Sequence, residues 1–125
     1  MNGSARAAYL GQMVNTASPA RLLVMLYDRL VLDLERAIDA QAAGNHVDAS
    51  PHLMHAQEIV LELRFSLRTD VWDGGPALAD IYAWLHSQLV RANTQRDVAI
   101  SRDCLSVIRP LGDAWREAAL AGVGA

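Results

Sequence analysis

The 125-residue chain has no lysine, a single cysteine, and few aromatic residues. Each shortage excludes something. Cys104 has no partner for an intramolecular disulfide, which fits a reducing compartment. The 11 basic residues are all arginine, they form no cluster or stripe, and the net charge is −3, so the electrostatic footprint of a nucleic-acid binder is missing. No apolar run approaches the length that spans a bilayer, and residues 1–15 lack a basic start followed by a continuous apolar stretch, so neither a membrane span nor a secretory signal is expected. Proline (4) and glycine (8) lie mostly between periodic segments, and Ala and Leu abound, which suits helices rather than sheet.

Apolar periodicity and end signals predict four helices over about 19–43, 47–69, 76–95 and 97–121. Ser18 is an N-cap candidate and Pro19 suits the first helical position. Gly44 suits a helix end, Pro76 opens the third helix after the loop DVWDGG, and Asp97 is an N-cap candidate for the fourth. Pro110 should kink that last helix near Ser106, and Gly112 weakens the same turn. Short connections make successive helices antiparallel neighbours, so the expected fold is all-α, an up-down-up-down four-helix bundle spanning 18–121. Residues 1–17 form a partly ordered N-terminal segment with Tyr9, Leu10, Met13 and Val14 as apolar points, and 122–125 form a frayed tail.

Each helix offers a core stripe at the helical period. The stripes are Leu23, Leu26, Leu30, Leu34, Ala37 and Ile38; Leu53, Ala56, Val60, Leu63 and Leu67; Leu78, Ile81, Leu85, Leu89 and Ala92; and Ile100, Cys104, Val107, Leu111, Ala114, Trp115 and Ala118. Apolar residues are left over. The run LLVMLY at 22–27 is apolar all round, Met25 and Leu32 lie seven apart, and Met54, Leu61 and Phe65 make a second stripe on the second helix beside Gln57. Trp84 lies off the third core stripe. A repeated apolar surplus points to a partner groove, a seam between copies, or a surface covered by residues 1–17.

Catalytic patterns are absent: no Gly-rich phosphate loop, nucleophile elbow or HExxH occurs, and no metal or cofactor is expected. His52 and His55 sit one turn apart with Glu58 and Glu62 following, a face that reads as solvated and outward rather than as a metal site.

The segments TASPARLLVMLYD, AQEIVLEL, IYAWLHSQLVRAN and AWREA, in this order and spacing over about residues 8–120, resemble the flagellin-specific export chaperones of the FliS family. Arg29 stands where that family often has Gly after LYD. The resemblance implies a cytoplasmic bundle that binds the disordered C-terminal region of flagellin one-to-one. It would prevent premature polymerisation and assist delivery to a flagellar export gate component, with other flagellar regulators as further partners. It also implies that the segment carrying Tyr9 and Val14 lies over part of the binding surface. The helical wheel adds the residues expected to meet flagellin: Met25, Tyr27, Leu32, Met54, Gln57, Leu61, Phe65 and Trp84. The competing expectation is a homo-oligomeric structural protein, a homodimer through the outer stripes, with no flagellin client.

Overall fold

The computed structural model describes residues 19–67 and 73–121. The Ser18 cap, the N-terminal segment with Tyr9, Leu10, Met13 and Val14, and the tail at 122–125 lie outside the described residues. Four helices make up the described chain: α1 (Pro19–Ala42), α2 (His46–Ser66), α3 (Gly75–Thr94) and α4 (Val98–Leu120). Among the described residues there is no strand.

The helix ends follow from local chemistry. The Asn45 side chain accepts the amide of Asp48 and caps α2, and Asp97 caps α4 by accepting the amide of Ala99. Leu67 leaves the helical region at φ −73°, ψ 127°, which ends α2 at Ser66. Pro110 lies inside α4, which stays one continuous element. The proline leaves the Ser106 carbonyl without its usual intrahelical donor.

The helices form a closed ring. α1 packs on α2 and α4, and α3 packs on the same two. Bonds across the ring give their directions. Ser101 Oγ donates to Gln41 Oε1 at 2.6 Å, Arg109 donates to Glu35 at 3.1 Å, and Arg116 pairs with Asp28, so numbers rise on α4 as they fall on α1. Tyr27 meets Tyr82, and Gln41 Nε2 donates to the Ala92 carbonyl at 3.2 Å, so α1 and α3 run the same way.

The core is continuous across all four helices. Leu30, Leu34, Ala37, Leu53, Ala56, Val60, Leu85, Leu89, Ala92, Cys104 and Ile108 have no exposed surface. Leu23, Leu26, Ile81, Ile100, Val107, Leu111 and Trp115 pack against them as half-buried neighbours. On α4 the expected stripe was turned partly the wrong way. Ala114 is exposed, while Ser101 and Ile108 are buried. Burial of Ser101 is tolerated because its hydroxyl is bonded to Gln41.

Tyr27 and Tyr82 reach each other across the core, their hydroxyls 2.7 Å apart. Burial disfavours the phenolate and raises both groups above the usual tyrosine range. For Tyr82 the neighbouring Tyr27 adds to that rise, whereas bonds to Tyr82 and Trp115 partly offset it for Tyr27. Gly112 of α4 faces Tyr27 with room to spare: a Cβ there would stand 3.5 Å from Tyr27 Cβ and Cδ1, an ordinary van der Waals distance.

Candidate functional site

Two apolar faces run along α2. The inner face carries Ala49, Leu53, Ala56, Val60 and Leu63, all buried. The outer face carries Val47, Met54, Leu61 and Phe65, spaced seven, seven and four residues apart, so that at about 100° per residue they share one side of the helix. Val47, Met54 and Phe65 are exposed, at 80%, 55% and 82%, and Leu61 and Gln57 are half-buried beside them. Phe65 is the only phenylalanine in the chain. A lone phenylalanine left in water at the end of an apolar line is the feature that core packing does not explain.

The flank of α2 turned to α1 is polar. His55 Nδ1 bonds to Asp33 Oδ2 of α1. His52, Glu58 and Glu62 recur at helical spacing on the same side. This corrects the reading of that face as merely solvated, because His55 secures a charged group with no exposed surface. Asp33 is wholly buried, and Arg29 Nε stands 3.3 Å from its second carboxylate oxygen. That contact is an ion pair without hydrogen-bond alignment. A buried carboxylate needs such partners, since an unpaired one is too costly to keep ionised. Arg29 therefore has a structural role, lying over Asp33 in the seam between α1 and α2.

The remaining site residues distribute as follows. Met25 and Leu32 are exposed at 38% and 36% on α1, and the polar row of α2 separates them from Met54, Leu61 and Phe65. Trp84 is 41% exposed on α3. Tyr27 is not a surface residue: it is 1% exposed and its hydroxyl is held by Tyr82, so it supports the core and cannot touch a client directly. The apolar run at 22–27 is thus explained in part by the interior, with Val24 and Tyr27 buried and Leu22, Leu23 and Leu26 half-buried. Val47 and Asp33 were missed in the sequence. Val47 could have been found as the first member of the spacing 47, 54, 61. Asp33 falls among Leu30, Leu34 and Ala37, and an acid inside a core stripe is the signal for a buried pair.

Among the described residues no three His, Cys, Asp or Glu side chains come together in a set able to hold a metal ion. Burial pushes the Cys104 thiol up to about 12, which removes its nucleophilic form at ordinary pH. Among the described residues no helix is long and apolar enough to cross a membrane.

Residues 1–122 match the family model described as flagellar protein FliS. The chain belongs to the FliS family. It is 28% identical over 111 residues to the flagellar secretion chaperone FliS of Bacillus subtilis, an alignment covering 89% of this chain and 83% of that one. It is 29% identical over 124 residues to the protein of the same name in Vibrio cholerae, covering 92% and 88%. The corresponding Escherichia coli protein is 29% identical over 109 residues, covering 86% and 80%. A solved structure described as a flagellar chaperone from bacteria superposes with a TM-score of 0.76 at 21% identity, covering 93% of this chain and 98% of that one. At that identity the superposition speaks for the fold. The family is one of secretion chaperones, not of enzymes.

Proposed function

We propose that this FliS-family protein is a cytoplasmic chaperone for flagellin. It binds the disordered C-terminal segment one-to-one, blocks premature polymerisation, and presents the client to a flagellar export gate component. The observation that carries the reading is the outer apolar line of α2, with Phe65 82% exposed at its end. Large apolar side chains held in water at helical spacing suit the apolar face of a client helix, which docks with anchors at matching intervals. Met25, Leu32 and Trp84 are further contact points on the neighbouring helices, and Gln57 supplies a polar contact beside the line. The absence of a nucleotide-binding motif in the sequence fits binding and release without ATP.

Calorimetric titration with the C-terminal segment of a flagellin from the same organism tests this. One-to-one binding with a negative heat-capacity change is expected, because ordering a disordered client is favourable only if much apolar surface is buried. The double variant Leu61→Asp, Phe65→Asp should keep the helical circular dichroism signal and lose the binding heat. A folded wild-type protein that gives no heat at several temperatures overturns the reading. It would favour a self-associating structural protein instead.

A further inference from the structure

The two tight turns of the bundle follow one plan and are filled by different residues. Between α1 and α2, the amide of Gly44 donates to the Gln41 carbonyl at 3.0 Å and that of Asn45 to Ala40 at 2.8 Å. Between α3 and α4, the amide of Arg96 donates to Asn93 at 3.4 Å and that of Asp97 to Ala92 at 3.1 Å. Both are the paired closure that places one left-handed residue just past a helix end. In the first turn that residue is Gly44, with φ 73°. In the second it is Arg96, with φ 52°, and among the described residues no other non-glycine has positive φ. A side chain in that region crowds the following carbonyl, a penalty glycine avoids.

The joints also differ in what else they could become. Ala43-Gly44-Asn45 contains glycine, the poorest helix former after proline. Gln95-Arg96-Asp97 contains neither glycine nor proline; Gln and Arg are good helix formers, and Asp97, which caps α4, ranks with Asn45 of the first joint. A continuous helix from residue 75 to 120 is therefore compatible with the sequence at the second joint, while the first joint is made to turn. The helix beyond the second joint is also the least embedded. α4 has three buried residues, Ser101, Cys104 and Ile108, whereas α1, α2 and α3 have six each. No residue of α4 beyond Ile108 is fully buried.

We propose that this chain has a second, domain-swapped state, in which α3 and α4 straighten through residues 95–97 and α4 docks on α1–α3 of a second copy. Every contact α4 makes in the single chain is remade between copies: Ser101 with Gln41, Arg109 with Glu35, and Arg116 with Asp28. The exchange relieves the Arg96 backbone twice per dimer, and short strained connections are the ones that exchange in this way. The outer face of α2 takes no part in it, so the client surface is present in both states.

The test is refolding from denaturant over a range of protein concentrations, read by size-exclusion chromatography with light scattering. A dimer fraction that grows with refolding concentration and persists on dilution is expected. Arg96→Gly should lower the dimerisation constant by at least roughly thirty-fold, because it relaxes two turns and weakens two fused helices at once. The partner of α4 is identified separately in a Cys104→Ala background carrying Glu35→Cys and Arg109→Cys, joined by a short bis-maleimide. A swapped dimer becomes covalently linked between chains. A dimer joined only within chains, an Arg96→Gly protein that dimerises as readily, or no dimer at any concentration overturns the proposal. The Arg96→Gly comparison needs no cysteine variant and stands if the cross-linking background fails to fold.

Discussion

Leu53 and Met54 are adjacent in sequence and separated by the whole logic of α2. Leu53 has no exposed surface; Met54 is 55% exposed. The same helix buries one apolar face in the bundle and holds another in water. Apolar burial stabilises the fold only on the first face, and on the proposed function the second serves binding instead. Substitutions on the two faces should therefore separate stability from binding. The largest stability effect belongs to Leu53→Ala, which removes a fully packed side chain and leaves a void. A loss of about 2–5 kcal/mol in denaturant unfolding is expected. Met54→Ala should change stability by less than about 1 kcal/mol in the same measurement. Equal losses at the two positions would mean that the outer face is core.

The polar flank between these faces comes next. Asp33→Asn keeps the shape and removes the charge that His55 and Arg29 hold. A cost of about 1–3 kcal/mol is expected, less than for a fully enclosed pair, because both partners are half-exposed and regain water. Client affinity should not change, since Asp33 has no surface to offer. Unfolding curves and calorimetry on one preparation check both halves of this expectation.

Alkaline titration probes the interior alone. The Cys104 thiol is pushed up to about 12 from 9.0, and Tyr27 and Tyr82 are raised above 10.0, each first by burial. Above these ordinary values the unfolded chain loses protons that the folded chain retains, so stability must fall as pH rises. Below about pH 9 the contribution is fully present. The unfolding midpoint should drop between pH 9 and 12, and Cys104→Ala should flatten the first part of that drop. No ionisable group of this kind sits on the outer apolar line, so its substitution should leave the profile unchanged.

How much of this was legible follows from what hydropathy measures. The four helices and most core positions could be read because Leu30, Leu34, Leu53, Val60, Leu85 and Leu89 recur at the helical period. The outer line could be read as a surplus, because Met54, Leu61 and Phe65 exceed what one buried face needs. Polar residues inside the bundle could not. Ser101 and the hydroxyls of Tyr27 and Tyr82 are buried because each finds a partner on another helix, which has no local signature; Asp33, an acid inside a core stripe four residues after Arg29, is the exception. The same blindness turned the α4 stripe towards Ala114 and put Tyr27 on the client side. The family resemblance rested on four short segments in order, and it supplied the client, which no periodicity could name.

The smallest effect on stability should come from Phe65→Ser, and it bears most directly on the site. Phe65 is 82% exposed one residue before the end of α2, where helix fraying already limits what a side chain can contribute. Replacing it should change the unfolding free energy by less than about 0.5 kcal/mol, the range of ordinary surface substitutions. Yet it removes the largest apolar group on the outer line, so affinity for the flagellin segment should fall at least about ten-fold, as for an aromatic anchor. A matching loss of stability would place Phe65 inside the fold. Unchanged affinity with unchanged stability would move the client surface to Met25 and Leu32 on α1, across the polar row that His55 anchors.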